Sequence, residues 1–150
     1  MGKARTLLEL GMPGVHQSNH RGIVVGHGLD VVDIEDFSRL LKKTASNFLD
    51  RHFTDAEIAA AGGGVNQAQK LAGRFAVKEA VLKAFGVGWG NGIAFTDVEV
   101  ITLRTGAPTV ALHRKLAELE TQNGISGWLV SVSHTSTVAV ASVIAVSSNW

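Results

Sequence analysis

The stretch Gly73-Arg74-Phe75-Ala76-Val77-Lys78-Glu79-Ala80-Val81-Leu82-Lys83-Ala84-Phe85-Gly86 reads as the end of one long helix, and the rest of the fold is organised around it. The helical period extends back to about Gln69, with Leu71, Phe75, Leu82 and Phe85 as its apolar stripe, and Gly86 stands where a left-handed C-cap belongs. Glu79 and Lys83 lie one turn apart on the flank of that stripe. They are either a surface ion pair worth a few tenths of a kcal/mol or the half-buried start of a ligand site. Lys78 points into the stripe itself. Either its stem packs there and its ammonium emerges at a cleft, or the helix is shared between two buried surfaces, as at a subunit interface.

Upstream, Ile23 to Val32 reads as a strand with Ile23, Val25, Leu29 and Val31 on one face and Gly26, Gly28 and Asp30 on the other. The two glycines beside Asp30 are expected to leave room for a ligand, and His27 falls on the opposite face. Asp30 is either a helix cap or a metal-binding carboxylate. Asp33 and Asp36 then open a helix carrying Phe37, Leu40 and Leu41, with Arg39, Lys42 and Lys43 turned to solvent. Thr54-Asp55-Ala56-Glu57 is a capping box for a short helix that stops at Gly62-Gly63-Gly64.

Downstream, Gly86-Val87-Gly88-Trp89-Gly90-Asn91-Gly92 follows a helix instead of feeding one, so it reads as a covering loop and not as a phosphate loop. Strands are expected over Phe95–Leu103 and Thr109–Leu112 around a Thr105-Gly106 turn, then a helix over His113–Gln122 ended by Asn123-Gly124. Trp128–Ser133 and Val138–Val146 close the chain as a strand pair, with Val132-Ser133-His134-Thr135 near their junction. Strands next to strands and grouped helices give an α+β class with a largely antiparallel sheet. Residues 1–21, with breakers and no sustained period, are expected to form a flexible extension ahead of a single domain over 22–150.

Composition narrows the chemistry. The chain has 150 residues, Lys+Arg 14 against Asp+Glu 13, and no cysteine. The near-balanced charge speaks against a nucleic-acid binder, and catalysis must use oxygen and nitrogen groups. No apolar run approaches the ~18 residues of a membrane span, so a cytoplasmic protein without a membrane partner is expected. Two carboxylates from remote segments, Asp30 and Glu79, suffice for Mg²⁺ if substrate phosphate completes the shell.

Taken together, Gly28-Leu29-Asp30, the block Leu71–Ala80 with Lys83-Ala84-Phe85-Gly86, and Ser131-Val132-Ser133-His134-Thr135 followed by Ala139 and Ala141 resemble the holo-acyl-carrier-protein synthase family, the small 4′-phosphopantetheinyl transferases. The resemblance runs over about residues 22–146 and includes Phe95–Val100 and Gly106-Ala107-Pro108. It implies a 4′-phosphopantetheinyl transferase-like fold and transfer of phosphopantetheine from coenzyme A to a serine of an apo acyl carrier protein, in support of fatty acid biosynthesis. It implies Mg²⁺ on Asp30 and Glu79, and release of adenosine 3′,5′-bisphosphate. It assigns catalytic roles to Glu79, Lys83 and His134, and coenzyme A binding to Arg74, Lys83, His134 and Thr135. The serine proton passes to Glu79 or to a metal-bound water, between which the sequence does not choose.

The resemblance also implies a homotrimer with each site between two subunits. Asp36 departs from it, standing where the family carries an arginine that meets the acidic carrier; Arg39, Lys42 and Lys43 are the nearby replacements. The alternatives are a noncatalytic module that binds coenzyme A or the carrier, and a metal-dependent phosphohydrolase.

Overall fold

The computed structural model describes residues 22–148, the side chains of Ala45 and Ser46 excepted, so the expectation for residues 1–21 lies outside the described residues. In chain order come β1 (Ile23–Asp33), α1 (Ile34–His52), α2 (Asp55–Ala61), α3 (Gln67–Phe85), a 3-10 turn (Phe95–Asp97), β2 (Val98–Thr102), β3 (Pro108–Leu112), α4 (Arg114–Gln122), β4 (Gly127–His134) and β5 (Val138–Ser147). β5 sits between β1 and β4 in an antiparallel sheet, and β2 and β3 form a separate hairpin. The class is α+β, as expected, with α3 laid across one face of the three-stranded sheet.

α3 is buried on most of its circumference: Leu71, Ala72, Gly73, Ala76, Val77, Lys78, Ala80, Val81 and Leu82 are all covered. The expected stripe of large residues is therefore only part of the packing. Phe75 and Phe85 are half-buried, and small residues face the sheet. The chain crosses so closely that a methyl added at Gly28 would overlap the Ala80 carbonyl, and one at Gly26 the Ala84 carbonyl. The space expected for a ligand beside these glycines is filled by helix backbone, because two elements approach this near only where one lacks side chains.

A β-bulge between Val24 and Gly26 corrects the expected strand faces. Before it, Ile23 pairs with Ser147 and Val24 with Val146; beyond it, Asp30 pairs with Ala141 and Leu29 with Ser142. Ile23 thus shares the core-facing register of Asp30, and Val24 joins His27, Leu29 and Val31 on the outer face. That face stays open: Val24, Leu29 and Val31 on β1 and Leu129 on β4 are exposed.

Local signals are honoured elsewhere. Asp33 caps α1 through a hydrogen bond from the Asp36 amide (2.9 Å), which leaves Asp30 free of capping duty. Thr54 and Glu57 form the capping box of α2, and Gly86 ends α3 with φ 70°. Phe95–Asp97 is a 3-10 turn and not the start of a strand, because Asp97 Oδ2 accepts from the Ala94 amide at 2.9 Å.

Lys78 follows the second expected course, since α3 is shared between two buried surfaces, the sheet on one side and α2 with β2 on the other, but both belong to one chain. Its ammonium is fully buried and donates to Glu57 Oε2 (2.9 Å), the Phe95 carbonyl (3.0 Å) and the Val98 carbonyl. Burial lowers the Lys78 pKa, opposed chiefly by Glu57. The ion pair ties α3 to α2 and β2 within one chain, so no second subunit is needed to explain it.

Candidate active site

Asp30 stands on the core-facing side of β1, where it meets the flank of α3. Lys83 Nζ donates to Asp30 Oδ1 at 2.8 Å and to the Leu29 carbonyl at 3.0 Å. One turn back along α3, Glu79 Oε1 accepts from Trp89 Nε1 at 3.0 Å. Asp30 and Glu79 line one open cleft of about 380 Å³, walled by Val32 and Phe37 and rimmed by Asp33 and Asp36. Glu79 and Lys83 lie one turn apart on one flank as expected, but they do not pair with each other: Lys83 is held by Asp30, and Glu79 faces the cleft beside Trp89.

The electrostatics fit a cation. Burial raises the carboxyl pKa of Glu79; the Trp89 hydrogen bond lowers it, Asp30 raises it further and Lys83 lowers it. Two acids that disfavour each other's charge gain from a shared positive ion. Among the described residues no three His, Cys, Asp or Glu side chains converge as a metal cage. A hard ion that takes one or two carboxylates and fills its shell with water and phosphate oxygens suits this donor set, and Mg²⁺ behaves so.

The other sequence-predicted residues lie elsewhere on the same chain. His134 Nδ1 is 2.9 Å from Gln69 Nε2, which also donates to the Thr135 carbonyl at 3.1 Å. Gln69 is ten residues before Glu79, ~15 Å along the helix. Arg74 is about 140° around the axis from Glu79. It lines a separate hollow of about 220 Å³ with Thr102, Gly106, Pro108 and Val132. Among the described residues its Nε is buried without a partner, while Nη1 reaches the Lys70 carbonyl at 3.4 Å. Within one chain the candidate residues thus lie apart: Asp30, Glu79 and Lys83 on one flank of α3, Arg74 on the other, and His134 and Thr135 at the helix's N-terminal end.

Three residues with parts to play escaped the sequence reading. Trp89 closes over Glu79, and the only hint was a lone tryptophan among glycines after the helix. Gln69 holds His134, and nothing in its local sequence announces that. Glu57 is the buried partner of Lys78, a role hidden behind its recognisable capping function.

A model of the 4′-phosphopantetheinyl transferase superfamily matches residues 26–141. The chain belongs to this family. Its curated relatives are holo-[acyl-carrier-protein] synthases, and the chain is an enzyme of that kind. The one from Solibacter usitatus is 36% identical over 122 residues, covering 81% of this chain and 98% of the relative. Among solved structures, the holo-[acyl-carrier-protein] synthase of Neisseria meningitidis superposes with a TM-score of 0.75 at 29% identity, over 82% of this chain and 98% of that one. The Helicobacter pylori enzyme, solved in complex with coenzyme A, gives 0.70 at 29% identity, over 79% and 98%.

Proposed function

We propose that this transferase moves the 4′-phosphopantetheine arm of coenzyme A onto a serine of an apo acyl carrier protein in an Mg²⁺-dependent reaction, releasing adenosine 3′,5′-bisphosphate. The observation that carries this is the convergence of Asp30 and Glu79 on one cleft, with Lys83 paired to Asp30 at 2.8 Å. The coenzyme A held by the Helicobacter pylori relative supports the choice of donor.

In the step, the serine oxygen bonds to the phosphorus that bears pantetheine, and the bond from that phosphorus to the bridging oxygen of the diphosphate breaks. Bound Mg²⁺ on Asp30 and Glu79 would neutralise diphosphate charge. Lys83, paired with Asp30 and 54% exposed at its side chain, would offset charge on the leaving phosphate. Glu79, which faces the cleft with one carboxylate oxygen held by Trp89, is the proposed acceptor of the serine proton. Protein groups here position reactants and offset charge, which accounts for most of the catalysis such displacements need.

The subunits are proposed to form a homotrimer that covers the apolar outer face of Val24, Leu29, Val31 and Leu129. Each active site would unite Asp30, Glu79 and Lys83 of one subunit with Arg74, His134 and Thr135 of the next, the latter gripping the nucleotide end. The catalytic unit is proposed to span 22–150. We place it in the cytoplasm, serving fatty acid biosynthesis; among the described residues no helix is long and apolar enough to cross a membrane.

Carrier docking differs from the family pattern. Asp36 holds Arg39 at 3.1 Å, and Glu35 holds it at 3.4 Å, so positive charge near the start of α1 falls to Lys42 and Lys43, which like Arg51 in the last turn have no ion pair among the described residues. This favours, as the second reading, a noncatalytic module.

Incubating the protein with coenzyme A, Mg²⁺ and apo carriers, and weighing the intact carrier, separates the readings. The enzyme adds one phosphopantetheine, whereas a module leaves the mass unchanged. Asp30→Ala and Glu79→Ala are each expected to abolish the addition with the circular-dichroism spectrum preserved, and full activity in both refutes the proposal.

A further inference from the structure

We propose that Trp89 is a positioning residue for Glu79: its indole N–H holds one carboxylate oxygen so that the other is presented to the divalent cation. This rests on the metal reading given above.

The argument begins with the loop after α3. Gly90, Asn91, Gly92 and Ile93 make a tight hairpin in which Asn91 (φ 53°) and Gly92 (φ 86°) both take positive φ, the pattern of a type I′ turn. The Gly90 amide donates to the Ile93 carbonyl at 3.2 Å and the Ile93 amide to the Gly90 carbonyl at 3.0 Å. Trp89 immediately precedes this clamp. Its ring stacks on Phe95 with centroids 3.6 Å apart and planes 21° apart, and Phe95 stacks in turn on Phe75 at 5.4 Å. An indole fixed by a turn on one side and an aromatic stack on the other has little freedom to wander.

From that fixed seat Nε1 donates to Glu79 Oε1 at 3.0 Å. An indole nitrogen donates one hydrogen and accepts none, so it can satisfy one oxygen and can neither bind the cation nor take a proton. Among the described residues Glu79 has no other hydrogen-bond donor, whereas Asp30 is held by Lys83. Each of the two acids in the cleft therefore has its own holder, and Trp89 is the one for Glu79. Groups that orient metal ligands from behind change metal affinity or activity by about 10–100-fold when removed.

The competing view is that Trp89 merely packs. Two variants separate the possibilities: Trp89→Phe keeps a ring to stack on Phe95, and Trp89→benzothienylalanine keeps the ring outline while sulfur replaces the N–H. Mn²⁺ binding is read by electron paramagnetic resonance with saturating coenzyme A, alongside the Mg²⁺ dependence of carrier modification. In both variants the Mn²⁺ Kd is expected to rise about 10–100-fold, with the KM for Mg²⁺ rising in step. The KM for coenzyme A stays within about twofold, because substrate binding not made through the cation is untouched. Mn²⁺ affinity within about twofold of the parent in the sulfur variant, with binding abolished in Glu79→Ala, overturns the inference and leaves the metal reading standing. Undiminished Mn²⁺ binding in Glu79→Ala removes both.

Discussion

Replacing Lys78 with Met keeps most of the side-chain volume and deletes the ammonium that lies between Glu57 and the carbonyls of Phe95 and Val98. The side chains of Lys78 and Glu57 are both fully excluded from water, so solvent and salt screen the pair little. In the variant the Glu57 carboxylate keeps the Thr54 amide at 2.8 Å and the Val100 amide at 2.8 Å, but it loses its counter-charge. Removing one member of a buried pair costs about 3–5 kcal/mol, because the remaining charge is stranded. Against a total stability of roughly 5–15 kcal/mol this is a large share. At about 2–4 °C per kcal/mol for a chain of this size, the unfolding midpoint should fall by roughly 6–20 °C.

Urea denaturation followed by circular dichroism measures the cost. The decisive comparison is the double variant Glu57→Gln with Lys78→Met, in which the charge is gone and the Gln oxygen keeps one of the two amides while its NH2 group displaces the other. It should recover part of the loss, because no buried charge is left stranded. A loss below about 1 kcal/mol in the single variant, or a double variant no more stable than the single, refutes the reasoning.

Other outcomes follow from the same geometry. Gly28→Ala pushes a methyl into the Ala80 carbonyl, and since backbone cannot yield as a side-chain tip does, a loss above the ~1–3 kcal/mol typical of overpacking is expected by thermal unfolding. His52 stacks on Phe48 at 4.0 Å and donates to its carbonyl, and burial lowers its pKa, with the Phe48 bond opposing. The folded state thus prefers the neutral ring. The stability His52 contributes is full above the unfolded value of about 6.5, falls as pH drops below it and levels off below the folded value. The urea midpoint should decline from pH 7.5 to 5.5 more steeply in the parent than in His52→Gln, and equal slopes would dismiss the idea.

Elements and site were legible to different degrees for physical reasons. Periodic patterns and caps act through nearest neighbours, so α3, the Thr54–Glu57 box and the closing strand pair could be read directly. The Asp30–Lys83 contact was foreseeable only because the resemblance named both residues. The bulge after Val24 shifts the register by one residue without any proline or unusual composition to announce it. Packing by small residues was also hidden: Ala72, Ala76 and Ala80 carry no strong amphipathic signal, yet they let α3 press onto the sheet. Lys78 misled because a lysine in an apolar stripe ordinarily reaches out to water, and its partner Glu57 is supplied by another helix whose sequence advertises a cap.

The glycine seam between β1 and α3 has a bearing on tolerance to change. Because main chain rests on main chain there, the span between the Asp30 and Glu79 α-carbons is set by atoms that every sequence shares and not by the sizes of intervening side chains. Aliphatic exchanges at Leu71, Val81 or Leu116 should leave that span nearly constant, so the enzyme's interior is free to drift over generations while its acid pair stays in gauge.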